Sequence, residues 1–191
     1  MFTTSHAILN TALLGRKNKP SRSWAALCGG IIPDLPMLLF FFIIPWVSHG
    51  CHLPLPKWFY YFPHYRVVID WAHSFPLALG GFLLCLWAKK EWGWVFFLSM
   101  FLHDLEDFFV HATYPHEQFL PFTHWAFSGP LSYYDPEYHG AIVAPLEWAL
   151  VIVGSWLIYK RGIPPWAQVA LLTIVIFQGT WLVFTFTGFR W

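Results

Sequence analysis

WGWVFFLSMFLHDLEDFFVHA, residues 92–112, is an apolar run that acidic side chains interrupt. A helix needs roughly 20 mostly apolar residues to cross the hydrocarbon core of a bilayer, and this run has that length. It nevertheless carries Asp104, Glu106 and Asp107. One charged side chain at the bilayer centre costs about 2.5–3.5 kcal/mol even on the lowest scale. The run therefore predicts a membrane-spanning helix whose carboxylates are neutralised by protonation, by a cation or by a water-filled cavity.

The composition of the whole chain agrees with a membrane protein. Of its 191 residues, 57% are apolar and 11% are charged, and the mean hydropathy is +0.49. About 25% of the residues of a soluble domain are charged, so a soluble globule and a disordered tail are excluded. The net charge of +1 gives no field that would attract nucleic acid. The length fits one domain, and residues 1–191 are predicted to form a single integral membrane domain.

Hydropathy along the chain predicts an all-α membrane helical bundle with about five transmembrane helices. The predicted spans are residues 24–47, 70–88, 93–111, 141–159 and 165–187. The apolar run Thr3–Leu14 has a helical pattern but is too short to cross a bilayer, so we expect a short N-terminal helix that is interfacial or partly inserted. The segment 112–140 then forms a long extracytoplasmic loop.

The basic residues orient these spans. If the five spans alternate, one side of the membrane receives Arg16, Lys17, Lys19, Arg22, Lys89, Lys90, Lys160 and Arg161. The other side receives Lys57, Arg66 and Arg190. Because Lys and Arg accumulate in cytoplasmic loops, the first set of connections is predicted to be cytoplasmic.

The polar residues of the 92–112 run have helical spacing. His103, Asp107 and His111 lie on one face at i, i+4 and i+8. Asp104 lies on the same side, whereas Glu106 is rotated away. An imidazole and a carboxylate one turn apart can point at a single ion, and such mixed ligands suit Zn²⁺, Mn²⁺ or Fe²⁺. The alternative is that these side chains satisfy one another as polar contacts within a bundle.

Polar residues in other predicted helices have both a structural and a functional interpretation. Asp34 lies between two prolines, where a broken helix either presents the carboxylate at a fixed angle or kinks around a protonated acid. Asp70 and His73, at the outer end of the second span, are either ligands or a polar cap. His6, in the N-terminal run, is by itself more often structural than a ligand.

The predicted outer loop at 112–140 contains no Lys or Arg and is rich in His and aromatic residues. A connection of this length is more typical of a lid or a site wall than of a passive linker. The alternative is an interfacial loop that its aromatic side chains anchor. Glu147, in the fourth predicted span, is a further carboxylate that could close a polar cavity.

The order of the short motifs resembles a known family. The motifs are T-S-H at 4–6, P-D-L at 33–35, D-x-x-H-S at 70–74 and H-x-x-x-D at 103–107. In this order they resemble the small inner-membrane proteins described as predicted membrane-bound metal-dependent hydrolases of the LexA-regulated type. The run at 119–136 looks like a segment that a subgroup of that family shares. The resemblance covers roughly residues 1–147 and implies a bacterial inner-membrane location.

The resemblance also implies a metal site, because that family is distantly similar to zinc-dependent phospholipase C and to single-strand nucleases. It implies a divalent metal, zinc first and manganese or iron otherwise. The implied ligands are His6, Asp34, His73, His103 and Asp107. The second H-x-x-x-D/E pair of a full three-metal phosphoesterase is absent from the sequence, so a reduced site with one or two metals is implied.

Two functions from different classes follow as hypotheses. The first is a membrane-embedded hydrolase of a phosphoester or lipid ester near the extracytoplasmic leaflet, with Asp104 as general base or as a positioning group. Its partners would be membrane lipids and a lipid or phosphoester substrate. The second is a non-enzymatic protein, either an ion or proton pathway or a scaffold with a polar His/Asp core. A metal site needs ligand atoms that converge on one point, whereas a relay distributes them through the membrane.

Overall fold

A computed structural model describes residues 1–40, 63–113 and 115–187 of the chain. Its helices are α1 (Thr3–Leu14), α2 (Pro20–Ile31), α3 (Pro63–Ala72), α4 (Phe75–Trp87), α5 (Glu91–Phe108), α6 (Gly140–Tyr159) and α7 (Pro165–Thr187). A 3₁₀ turn at Ile32–Asp34 follows α2, and a second at Pro136–Tyr138 precedes α6. Since these ranges contain no β-strand, the predicted all-α class is confirmed for them.

Three helical segments are long and apolar enough to cross a membrane: Pro20–Phe40, Gly140–Tyr159 and Pro165–Phe186. The pair of α3 and α4, bent by 42°, gives a fourth span if it is counted as one. The predicted span 93–111 is the helix α5, but its acidic residues keep it out of this apolar set. The predicted span 24–47 continues beyond the described residues after position 40. Three helices therefore have the length and composition of membrane spans, as the sequence predicts for a membrane protein, and the count of five spans stays a prediction.

The α6 and α7 helices pack against each other and present apolar side chains outward. In the 18-residue apolar stretch that qualifies each helix as a span, 6% of the residues are buried in α7 and 28% in α6, against 39% in Pro20–Phe40. Leu150 on α6 and Ile176 on α7 are among the exposed side chains. An extended apolar surface of this kind is suited to contact with lipid.

The N-terminal helix α1 lies inside the bundle, packed against α2, α5 and α6. Its polar residues Ser5, His6 and Asn10 are completely buried. Asn10 donates a hydrogen bond to the carbonyl of Ser99 at 3.0 Å, and the Ser99 hydroxyl donates to the carbonyl of Ala26 at 2.6 Å. The short N-terminal helix is therefore confirmed, and it packs against other helices of the bundle, while its depth in a membrane stays a prediction.

Close packing of α2 on its neighbours depends on two glycines. A Cβ atom at Gly29 would lie 2.3 Å from the carbonyl oxygen of Phe96 in α5. A Cβ atom at Gly30 would lie 2.9 Å from the carbonyl oxygen of His6 in α1. Any larger residue would separate these helices. The 3₁₀ turn after α2 packs against α3 and α5, and the buried Asp34 lies within it.

The segment 115–139 folds back over the junction of α3 and α4. The hydroxyl of Ser74, the N-cap of α4, donates to the carbonyl of Leu120 at 2.6 Å. At the end of α5, His111 forms an isolated antiparallel bridge with Ser132. Both Leu120 and Ser132 are buried. The loop therefore packs on the polar interior, in the position that a site wall would occupy.

Candidate metal centre

Four polar side chains that are distant in sequence meet inside the bundle: Asp34, His73, His103 and Asp107. Asp34 comes from the first 3₁₀ turn, His73 from the junction of α3 and α4, and the other two from successive turns of α5. One ligand atom of each lies within 4.8 Å of those of the others. None of the four is more than 3% exposed. This buried Asp/His group could hold a metal ion.

The imidazole of His103 is oriented by a main-chain carbonyl of α2. Its Nδ1 lies 3.0 Å from the carbonyl oxygen of Gly30. That oxygen can only accept, so in the neutral ring Nδ1 carries the proton and Nε2 keeps a lone pair. Nε2 lies 3.6 Å from Oδ1 of Asp34 and 3.5 Å from Oδ2 of Asp107, and it has no hydrogen-bond partner among the described residues. Metal-binding histidines are typically held in this way.

The imidazole of His73 is also oriented by a main-chain carbonyl. Its Nδ1 lies 2.8 Å from the carbonyl oxygen of Ile69, one turn earlier in α3. Its Nε2 lies 3.5 Å from Oδ1 of Asp34 and also lacks a hydrogen-bond partner within the described ranges. When both rings are neutral, two unprotonated nitrogens therefore face the same carboxylate oxygen. Lone pairs so placed repel an anionic oxygen unless a proton or a cation lies between them.

The carboxylate of Asp34 is held by Thr3, whose hydroxyl donates to Oδ2 at 2.6 Å and leaves Oδ1 to the imidazoles. Two ligand atoms bound to one tetrahedral zinc ion at about 2.0–2.1 Å stand about 3.4 Å apart. The separations between the imidazole nitrogens and the carboxylate oxygens are 3.5–3.6 Å. These three separations are therefore close to those around a small divalent cation, and all four ligand atoms lie within 4.8 Å of one another.

The fifth predicted ligand, His6, lies beside this group and contacts the other oxygen of Asp107. Its Nε2 lies 3.0 Å from Oδ1 of Asp107, and its Nδ1 lies 2.5 Å from Oε2 of Glu106. The ring stacks on His103 with centroids 3.7 Å apart. The amino terminus of Met1 also contacts Oδ1 of Asp107. Glu106, which helical spacing rotates away from the cluster, is thus a partner of His6.

Asp104, the predicted general base, is buried close to the centre. It is 1% exposed, and neither carboxylate oxygen has a hydrogen-bond partner in the described part of the chain. Its carboxylate interacts electrostatically with His73 and Asp107. An uncompensated buried carboxylate costs several kcal/mol. Asp104 is therefore the second feature of the centre, after the paired imidazoles, that calls for a proton or a cation.

Two further histidines form a second group with Asp107 that the predicted ligand set omits. One ring nitrogen each of His111 and His116 and a carboxylate oxygen of Asp107 lie within 4.8 Å of one another. Helical spacing places His111 on the same face as Asp107. His116 belongs to the outer loop, and no spacing rule predicts the path of that loop. Burial, together with the neighbouring His73, holds the pKa of His116 below its ordinary value.

Other polar residues that the sequence singles out lie outside both groups. Glu147 accepts hydrogen bonds from the hydroxyl of Ser5 at 2.5 Å and from the N–H of Phe2 at 2.8 Å. It therefore anchors the start of α1. The loop residue His124 is exposed and pairs with Glu117 at 2.7 Å.

No protein-family model, curated protein or solved structure matches this chain. What the geometry provides is a buried group of two imidazoles and two carboxylates, with both ring orientations fixed by main-chain carbonyls.

Proposed function

We propose that this chain is a membrane-embedded, metal-dependent hydrolase of a phosphoester or lipid ester near the extracytoplasmic leaflet. The observation that carries the proposal is the convergence of two imidazole nitrogens, from His73 and His103, on the carboxylate oxygens of Asp34 and Asp107. The lone pairs of these nitrogens repel the anionic oxygens, whereas a cation between the nitrogens and the oxygens attracts both. A proton or ion pathway would instead distribute its groups along the membrane normal.

Zinc is the metal we propose for this site. Two imidazoles and two carboxylates are nitrogen and oxygen ligands that zinc binds, and manganese or iron accept the same ligands. A catalytic tetrahedral zinc keeps one position for water, so three of these four side chains would bind it at a time. A divalent cation lowers the pKa of a coordinated water toward ~7 and polarises a phosphoryl or carbonyl oxygen. Burial of the ligand residues supports the exclusion of bulk water from this chemistry.

The residues of the chain would bind the metal and transfer one proton. His73 and His103 would hold the metal, with their rings fixed by the carbonyls of Ile69 and Gly30. Asp104 takes a proton from the attacking water, whose oxygen bonds to the phosphorus or the carbonyl carbon. The ester bond to the alcohol oxygen then breaks, and the alcohol leaves with the proton that Asp104 held.

The proposed topology assigns this chemistry to the outer leaflet. We propose five spans in a bacterial inner membrane, with the basic connections in the cytoplasm and the loop 112–140 outside, as the distribution of Lys and Arg supports. His116 of that loop lies next to the centre. A membrane lipid can bring a head-group ester to this depth. The resemblance to predicted membrane-bound metal-dependent hydrolases supports the same assignment.

Metal content is the first test of this function. Full-length protein in detergent is loaded with excess zinc, desalted and analysed by inductively coupled plasma mass spectrometry. The variants are His103→Gln and, as a control on an exposed loop histidine, His124→Gln. We expect bound zinc in the wild type and in His124→Gln, and a loss of more than ~100-fold in affinity in His103→Gln, because even outer-shell changes cost 10–100-fold. Wild-type protein that takes up no zinc would overturn the proposal.

A second variant separates binding from catalysis. Asp104→Asn is expected to keep its zinc and to lose hydrolysis of bis(p-nitrophenyl) phosphate and of phospholipid vesicles by about 100-fold or more. Zinc-loaded wild-type protein that hydrolyses neither substrate would contradict the hydrolase and leave a metal-binding membrane protein.

A further inference from the structure

The carboxylate of Asp107 faces different side chains with its two oxygens. Oδ2 lies 3.5 Å from Nε2 of His103, within the group for which zinc is proposed. Oδ1 contacts the amino terminus of Met1 and lies 3.0 Å from Nε2 of His6 and 3.5 Å from Nδ1 of His111, so a cation at Oδ1 would take the place of the Met1 ammonium group. A carboxylate that is engaged separately through each oxygen can bridge two cations.

The two imidazoles of the second group are held by their own partners. Nδ1 of His111 lies 3.2 Å from the carbonyl oxygen of Asp107. Nδ1 of His116 lies 3.3 Å from Oδ1 of Asp70. Since Nδ1 of each ring faces an oxygen acceptor, Nε2 is the nitrogen that would bind a metal, as in carboxylate–histidine–zinc arrangements. For His111 this would require the ring to turn, because Nδ1 is the atom that lies 3.5 Å from Oδ1 of Asp107. The ring of His116 also stacks on His73, with centroids 3.9 Å apart, so the second group adjoins the first.

Main-chain contacts fix the loop that carries His116. The N–H of Phe75 donates to the carbonyl of Gln118 at 2.9 Å, and the N–H of Glu117 faces Oδ1 of Asp70 at 3.4 Å. The side chain of Gln118 is buried and accepts a hydrogen bond from the N–H of Phe127 at 3.3 Å. The loop imidazole is therefore placed by a structured segment.

We propose that His111, His116 and Asp107 hold a second divalent cation and that Asp107 bridges two metals. This inference rests on the proposed function, because Asp107 belongs to both groups. Two cations about 3.5–4 Å apart stabilise the attacking and the leaving oxygens of an in-line displacement together. Two-metal sites cleave phosphoesters in phosphatases and nucleases and amides in aminopeptidases. Because an in-line displacement takes place at phosphorus, the binuclear centre favours phosphoesters among the esters of the proposed function, and the assays below compare the two ester classes.

Zinc stoichiometry tests the second site. Full-length protein in detergent is titrated with zinc, and the bound zinc per chain is measured for the wild type, His111→Gln, His116→Gln and His124→Gln. We expect about two zinc ions in the wild type and in His124→Gln, and about one in each of the other variants. Because His111 follows a helix and His116 lies in a loop, a folding defect in one variant leaves the other informative. Size-exclusion chromatography and circular dichroism report on folding.

The outcomes separate this inference from the function on which it rests. One zinc ion in the wild type, unchanged in His116→Gln, would overturn the second site and leave the first. No zinc in the wild type would overturn both. Two zinc ions that persist in both variants would overturn this ligand set. Both variants are also expected to lose hydrolysis of bis(p-nitrophenyl) phosphate, and a loss confined to p-nitrophenyl acetate would contradict the assignment to phosphoesters.

Discussion

The α6–α7 pair and the unit formed by α1, α2 and α5 show opposite ways of building a membrane bundle. In the apolar window of α7 only 6% is buried, and side chains such as Ile176 face outward. In the other unit the completely buried side chains include Ser5, Asn10 and Ser99. An apolar helix is satisfied by lipid, whereas a polar interior requires close backbone approach and hydrogen bonds between helices. The difference indicates that the second unit is the part of the fold most sensitive to substitution.

Gly29→Ala is expected to have the largest effect on stability. The new Cβ atom would lie 2.3 Å from the carbonyl oxygen of Phe96 and 2.7 Å from Cβ of Ser99, so α2 and α5 must separate. Overpacking of a well-packed core costs about 1–3 kcal/mol and occasionally more. Thermal unfolding in detergent, followed by circular dichroism, should show a clear fall in the midpoint.

The matched control is Gly80→Ala in α4, where nothing lies within 4 Å of the new atom. This change is expected to leave the midpoint unchanged or to raise it, because Ala is favoured over Gly in a helix interior by about 0.5–1 kcal/mol. Equal midpoints for the two variants would contradict the close contact of α2 with α5.

Thr3→Val is expected to have an intermediate effect, on metal affinity. Valine has the shape of threonine but cannot donate to Oδ2 of Asp34, which loses a hydrogen bond of 2.6 Å. Removal of an outer-shell partner typically weakens metal binding by about 10–100-fold. Zinc affinity is measured by competition with a chelator, and Thr173→Val on the exposed surface of α7 is the control. Equal affinities in the two variants would show that Thr3 does not orient Asp34.

The same contrast explains how much of the fold could be predicted. The α6 and α7 helices, Gly140–Tyr159 and Pro165–Thr187, agree closely with the predicted spans 141–159 and 165–187, because hydropathy reports contact with lipid. The position of α1 could not be predicted in this way. A test of length and hydropathy treats Ser5 and Asn10 as unsuited to the interior, although the hydroxyl of Ser5 and the amide nitrogen of Asn10 donate hydrogen bonds to groups on other helices.

The candidate site shows a similar division. His103 and Asp107 could be placed together by helical spacing, and the structure brings Asp34 and His73 to them. The approach of His116 could not be predicted, because it depends on main-chain acceptors. An example is the carbonyl of Leu120, which the hydroxyl of Ser74 binds. Residue patterns carry no information about such contacts, and loops that form site walls are commonly placed by them.

The smallest effects are expected on α6, where two adjacent residues face different surroundings. Leu150 is 53% exposed, whereas Val151 is completely buried and packs in an apolar cluster with Ile8 of α1. Lipid tails are as apolar as a leucine side chain, so transfer from water contributes little to either substitution and packing decides the result. Val151→Ala should lower the free energy of unfolding by about 1 kcal/mol, through the cavity it leaves.

Leu150→Ala should change the free energy of unfolding by less than about 0.5 kcal/mol, because lipid or detergent fills the space. Thermal midpoints of the two variants in the same detergent measure the difference. If Leu150→Ala were the more destabilising change, the outward surface of α6 would be packed against protein, and the contrast between the apolar pair and the polar unit would fail at that helix. A larger loss of stability in Val151→Ala than in Leu150→Ala would support the interpretation that α6 separates the two environments, with α1 on one side and lipid on the other.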